Sequence, residues 1–167
     1  MTFHEFDTLP VEKLKQELYR CCGSTTWVNN MVKEFPAEDL IDLFETAEEQ
    51  WNECSEEDWK EAFRQHAKIG DLASAPDQSA GNATWAASEQ KEVQHASPGL
   101  LTELAAANEA YEKKFGYVFV VSATGKTGEQ ILEIMKQRLA NAPEVEIMVA
   151  KDEQHQITLI RLEKLIT

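Results

Sequence analysis

The sequence lacks most of what would place it in a special class of proteins. No apolar run approaches the roughly 20 residues that a helix needs to cross a bilayer. The first ten residues, MTFHEFDTLP, show neither the basic start nor the apolar stretch of a secretory signal. The final LIT differs from an SKL-type peroxisomal address. The expected location is the cytosol, with no membrane partner. Cysteine is scarce: Cys21, Cys22 and Cys54 are odd in number and two are adjacent, which implies no disulfide framework. They form neither a CxxC pair nor a His/Cys spacing suited to zinc, so the expectation is no metal and three reduced, half-buried thiols. Positive charge is also in short supply. Sixteen Lys and Arg face 30 Asp and Glu, for a formal net charge of −14. Such a chain repels nucleic acid and anionic membranes. An anionic small molecule would have to be held by a local cation, which draws attention to Arg20, Arg64, Arg138 and Arg161. Strand-like sequence is nearly absent. Only YVFVVSA, Tyr117 to Ala123, is short and rich in β-branched and aromatic residues. With no second candidate strand, it reads as buried extended chain between helices.

What is present is helical. The 167 residues suit one domain, and 43% hydrophobic with 28% charged residues is a globular balance. Pro10 opens a helix that ends at Gly23, with Val11, Leu14 and Leu18 on one stripe. A short helix follows through Trp27, Met31 and Val32, and another from Pro36 through Leu40, Leu43, Phe44, Ala47 and Trp51. Ser55 with Asp58 marks the next start, and Trp59, Ala62, Phe63 and His66 share a face up to a stop at Gly70. The small, polar segment 72–81 reads as a loop. Asn82 then caps a helix with Trp85, Glu89 and Val93 at i, i+4 and i+8. Ser97-Pro98 begins a long helix that Gly116 closes. Thr127 to Gln130 is a capping box for a helix through Ile131, Leu132, Met135 and Leu139. A last helix runs from Pro143 through Arg161. The expected fold is all-α: a single domain over 1–167, of about seven to eight helices with one short buried extended segment.

Four features could carry chemistry, and each has a plain structural alternative. His66, in RQHAKIGD, suits acid/base work near neutrality, or it caps a helix C-terminus where its charge is favoured. His4, His95 and His155 lack such a context and read as surface residues. Glu89 shares a face with Trp85 and Val93, where a carboxylate costs several kcal/mol (~2–5) unless paired. It is either a site residue or a boundary glutamate reaching outward. Arg161, among Ile157, Ile160, Leu162 and Leu165, offers a rigid fork for a carboxylate, or is an amphipathic-helix arginine. ATGKTGEQIL hints at a phosphate loop, but Val120 stands where a Walker A motif needs its first glycine, so it reads as helix capping.

These residues belong to a longer string. Asp58-Trp59, Ala62-Phe63, His66 and Ile69-Gly70-Asp71 correspond to dW-x-x-A-f followed by H-P-x-I-G-D. Trp85 and Glu89-Gln90 correspond to W-S-x-x-E-Q. Asn108, Tyr111 and Lys114-Phe115-Gly116 correspond to N-x-x-Y-x-x-K-F-G. Phe119-Val120 with Ala123, Arg138-Leu139 with Asn141, and Arg161-Leu162 follow in order, and the early Cys22 and Trp27 also fit. Over nearly its whole length the chain resembles the OHCU decarboxylases, which act on 2-oxo-4-hydroxy-4-carboxy-5-ureidoimidazoline in urate breakdown. Two positions depart from the pattern: Ala67 replaces the proline after the histidine, and Ala86 replaces the serine, whose hydrogen bond is lost or taken over by Ser88.

The resemblance implies a cofactor-free helical carboxy-lyase, often a homodimer, that converts a small ureidoimidazoline to (S)-allantoin and CO2. It implies catalytic roles for His66, Glu89 and Arg161. Arg161 would fix the anion, His66 would handle the hydroxyl proton and Glu89 would orient the ureido or ring N–H groups. Substrate contacts would come from Ala67, Ala86, Ser88 and Gln90, and from the backbone of Phe119, Val120, Val121, Ser122 and Ala123. Two other classes explain the helical stripes. One is a non-catalytic helical interaction module, which calls for an exposed apolar groove. The other is a different lyase or hydrolase on the same scaffold, separable by product analysis.

Overall fold

The computed structural model describes residues 1–77 and 79–166. Gln78, within the loop expected over 72–81, and Thr167 lie outside the described residues. Among the described residues there is no strand, only an isolated bridge between Lys68 and Asp71, and the chain is all-α. Among the described residues there are nine α-helices: α1 Phe3–Asp7, α2 Val11–Cys21, α3 Thr25–Lys33, α4 Leu40–Glu53, α5 Glu56–Phe63, α6 Ala80–Glu89, α7 Pro98–Phe115, α8 Gly128–Leu139 and α9 Pro143–Leu165. Single 3-10 turns occupy Leu72–Ser74 and Val93–His95. The chain divides into two compact units, one of Met1–Ala62 with Gln154–Thr167, the other of Phe63–Glu153.

In the first unit, side chains that cap helices also set where they begin. Thr2 and Glu5 form a capping box around α1, a helix too short to be visible as a periodic pattern. Ser24 caps α3 by accepting from Trp27 N–H, and Asp39 caps α4 by accepting from Asp42 N–H. That cap starts α4 at Leu40, four residues after the proline expected to open it. Trp27, Leu43, Ala47 and Trp51 are buried, and the Trp27 indole N–H donates to the Ala47 carbonyl at 3.0 Å. Thr158 of α9 donates to the Gln154 carbonyl at 2.9 Å. The cysteines form no disulfide among the described residues and are buried rather than half-buried. Burial pushes the Cys54 thiol up to about 11 and the Cys22 thiol further, so both stay protonated at neutral pH. His155 is half-buried with its Nδ1 enclosed, not a surface histidine.

The second unit departs from the periodic reading at two helix ends. Helix α5 stops at Phe63, so His66 lies on a bend beyond the helix instead of on its last turn. His66 N–H bonds back to the Phe63 carbonyl, and the backbone of residues 68–70 that follows bonds to the side chains of Ser74, Gln90 and Asn108. Helix α6 starts at Ala80 and ends at Glu89, so Val93 sits in a separate 3-10 turn. Asn82 is not its cap. The Asn82 amide instead donates to Asp77 at 2.6 Å. Helix α7 follows its signals closely: Ser97 accepts from Leu100 N–H, and Gly116 ends it at φ 83°. Leu100, Leu104, Asn108 and Tyr111 form its buried face. Helix α8 starts at the expected Thr127–Gln130 box and approaches α7 so closely that a Cβ at Gly128 would lie 2.9 Å from Leu100 Cδ2.

Gly116→Ala forces a left-handed conformation on an L side chain that meets nothing else nearby. The expected result is a loss of about 1 kcal/mol in urea unfolding with unchanged native helix content.

Candidate active site

The loop that follows His66 is held from three sides within its own unit. Asn108 of α7 donates from its side-chain amide to the Ile69 carbonyl at 2.9 Å. The Gln90 carboxamide oxygen accepts from Gly70 N–H at 3.0 Å, and its NH2 lies 3.5 Å from the Lys68 carbonyl. The Ser74 hydroxyl accepts from Lys68 N–H at 2.8 Å and donates to the Asp71 carbonyl at 2.6 Å. Gly70 makes the turn at φ 82°. Gln90 directly follows Glu89, so one buried side chain ties the end of α6 to the histidine loop. His66 and Glu89 are both half-buried. Ala67 is buried, Ala86 is half-buried and Ser88 is exposed.

The extended segment Tyr117–Ala123 is buried along its whole length. It has no neighbouring strand, and among the described residues no partner is found for the backbone N–H groups of residues 118–123. Buried amide donors are rarely left unused. Three of its carbonyls are taken: Val120 by Arg138, Ser122 by the Lys126 ammonium at 2.6 Å, and Ala123 by Lys126 N–H at 3.0 Å.

Behind this segment lies a buried charged network that the sequence pattern had not exposed. Arg138 of α8 and Glu146 of α9 are 6% and 0% exposed. Arg138 Nη2 donates to Glu146 Oε2 at 2.7 Å, and Nε lies 3.1 and 3.0 Å from Oε1 and Oε2. Asn141 adds a donor at 3.1 Å, and Tyr111 donates its hydroxyl to Oε2 at 2.5 Å. Burial, with the acceptor carboxylate beside it, pushes the Tyr111 phenol far up, so it remains a donor at any working pH. Arg138 Nη1 reaches the Val120 carbonyl at 2.7 Å, and the guanidinium lies 4.3 Å from the Phe119 ring centroid. The Tyr111 ring meets Phe119 edge-on at 5.2 Å. A signal for this network was available: Arg138 sits one heptad after Ile131, on the apolar face of α8, where a cation demands a partner.

Arg161 belongs to the other unit. It is half-buried on α9, and its Nη1 donates to the Arg20 carbonyl at 3.0 Å. Among the described residues, no group of three His, Cys, Asp or Glu could hold a metal ion, and no helix is long and apolar enough to cross a membrane.

A model of the OHCU decarboxylase family matches residues 7–163. The chain belongs to the OHCU decarboxylase family. It is 36% identical over 149 residues to the uric acid degradation bifunctional protein TTL of Arabidopsis thaliana, covering 88% of this chain and 45% of that protein. It is 33% identical over 81 residues to the uric acid degradation bifunctional protein of Bacillus sp. (strain TB-90), covering 46% of this chain and 16% of that one. The chain thus spans less than half the length of these curated relatives. Among solved structures, an OHCU decarboxylase crystallised in the presence of (S)-allantoin superposes with a TM-score of 0.78 at 34% identity, over 89% of this chain and 96% of that one. An (S)-allantoin synthase shares the fold at a TM-score of 0.75 and 19% identity, over 99% of this chain and 54% of that one. Within this OHCU decarboxylase scaffold, Gln90 is engaged with loop backbone, while residues 118–123 present unspent amide donors.

Removing one partner of the buried pair strands the other charge. Glu146→Ala is expected to cost roughly 3–5 kcal/mol in chemical denaturation. A loss below about 1 kcal/mol would show that the pair is not clamped as described.

Proposed function

We propose that this chain decarboxylates 2-oxo-4-hydroxy-4-carboxy-5-ureidoimidazoline to (S)-allantoin and CO2, with no metal or organic cofactor. The observation that carries the reading is the buried extended segment. Among the described residues the amide donors of residues 118–123 have no protein partner, and the unit that contains them also carries His66 and Glu89. A small planar heterocycle rich in carbonyl oxygens would satisfy such a backbone edge, and the family and the (S)-allantoin of its relative point to the same chemistry.

The reaction makes modest demands. The carbon that loses CO2 lies next to a ring C=N bond, which serves as the electron sink that pyridoxal or thiamine supplies elsewhere. The C–CO2 bond breaks, its electron pair enters the ring, and the ring nitrogen takes a proton. The resulting enol loses its hydroxyl proton as another proton adds to the ureido-bearing carbon. His66 is assigned the hydroxyl proton, because imidazole can take and return it near neutrality. Glu89 is assigned the ureido or ring N–H groups as a hydrogen-bond acceptor. The backbone of Phe119, Val120, Val121, Ser122 and Ala123 lines the ring and fixes which face is protonated. Ala67, Ala86, Ser88 and Gln90 are assigned substrate contacts, and Arg161 is assigned the substrate anion. The proposal includes a cytosolic homodimer, as the family resemblance implies.

The test is to generate the substrate in situ from urate and follow circular dichroism as allantoin forms. Wild type should give optically active allantoin faster than the spontaneous reaction. His66→Ala and Glu89→Ala should each lose about 10²-fold or more in rate, and Arg161→Ala should raise KM. Racemic product at the background rate from wild type overturns the function. Full rate and optical activity in His66→Ala or Glu89→Ala overturns the roles.

A further inference from the structure

We propose that Tyr111, Arg138 and Glu146 are positioning residues for the reaction: they hold the Phe119–Ala123 backbone in the one register that presents its amides to the substrate ring, and so control facial selectivity. The inference rests on the reading that this backbone lines the ring.

A strand in a sheet is located by a ladder of hydrogen bonds along both edges. This segment has no ladder. Its middle is located instead by one guanidinium, which takes the Val120 carbonyl at 2.7 Å and lies against the Phe119 ring at 4.3 Å. The ring and the carbonyl leave the backbone in different directions, because side chains project out of the pleat while carbonyls project in the hydrogen-bonding direction. A group that grips both fixes the rotation of the segment as well as its height. The guanidinium is in turn fixed by Glu146, whose two oxygens receive Arg138, Tyr111 and Asn141. Tyr111 closes the circuit, with its hydroxyl on Glu146 and its ring edge-on to Phe119 at 5.2 Å.

Stability alone does not account for the arrangement. A buried ion pair is commonly no more stabilising than well-packed apolar residues of similar volume. What apolar residues cannot do is bind a backbone carbonyl at a set distance. A rotation of the segment about its own axis would turn amide N–H groups away from the ring without unfolding anything. The unspent donors would then be unavailable or misdirected, and the proton could reach either face.

Arg138→Met combined with Glu146→Leu removes both charges together and keeps the volume filled, whereas Tyr111→Phe removes a single hydroxyl. For the double variant we expect a native fold by circular dichroism, a loss of kcat/KM on the order of 10²-fold as for an ångström-scale misplacement, and allantoin of clearly reduced enantiomeric excess. Tyr111→Phe should show a smaller loss in the same direction, with enantiomeric excess falling before kcat. In the substrate-free protein, the amide resonances of residues 119–123 should be single and sharp in wild type and broadened or doubled in both variants. Folded variants with unchanged enantiomeric excess and unchanged KM overturn the proposal. If the double variant does not fold, Tyr111→Phe decides by the same criteria. If wild type makes only racemic allantoin, the functional reading fails. The substrate-free resonances still decide the clamp, which is overturned if they are identical in wild type and Tyr111→Phe.

Discussion

The second unit is organised around one buried ion pair. Arg138 and Glu146 are eight residues apart in sequence, on α8 and α9, and each is almost wholly removed from water. Two charges in that position are tolerable only if nearly every donor and acceptor is used, and here they are. Tyr111, Asn141 and the Val120 carbonyl complete the set. The pair therefore constrains three helices and the extended segment at once, and the segment can stay extended and buried without a sheet.

Helix α7 links this constraint to the histidine loop. Its buried face carries Leu104, Asn108 and Tyr111 at helical spacing. Tyr111 reaches Glu146, and one turn earlier Asn108 reaches the Ile69 carbonyl. The Asn108 carboxamide oxygen is buried with no hydrogen-bond partner among the described residues. The same helix thus sets the height of the extended backbone and of the loop after His66. Gln90 ties that loop to the end of α6, next to Glu89. The chemistry assigned to an imidazole and a carboxylate rests on backbone segments that are irregular but held by buried side-chain amides and a guanidinium.

Elements with local punctuation were legible in the sequence. Ser97-Pro98, Gly116 and the Thr127–Gln130 box mark α7 and α8 because capping is a contact between residues three or four apart. The buried YVFVVSA segment was legible because β-branched and aromatic residues do not fill a solvent-facing loop. The ends of α5 and α6 were not. The stripe through Trp59, Phe63 and His66 continues past the last helical residue, and the loop beyond it is held by Asn108, 39 residues from Ile69. Arg138 on the apolar face of α8 called for a partner, but which residues supply it was hidden for the same reason: Tyr111 and Glu146 are 35 residues apart, and neither position is unusual by itself. His66 and Glu89 were singled out through the family's motif string, since spacing alone favoured a capping histidine and a boundary glutamate.

The central claim is that the product's ring lies along the backbone of residues 119–123. Titration of the isotope-labelled protein with (S)-allantoin and separately with (R)-allantoin, followed by amide proton and nitrogen shifts, tests it most directly. Saturable shifts concentrated at Phe119 to Ala123, larger for the S enantiomer, are expected. Saturable shifts elsewhere that leave those five amides unmoved by either enantiomer would contradict it.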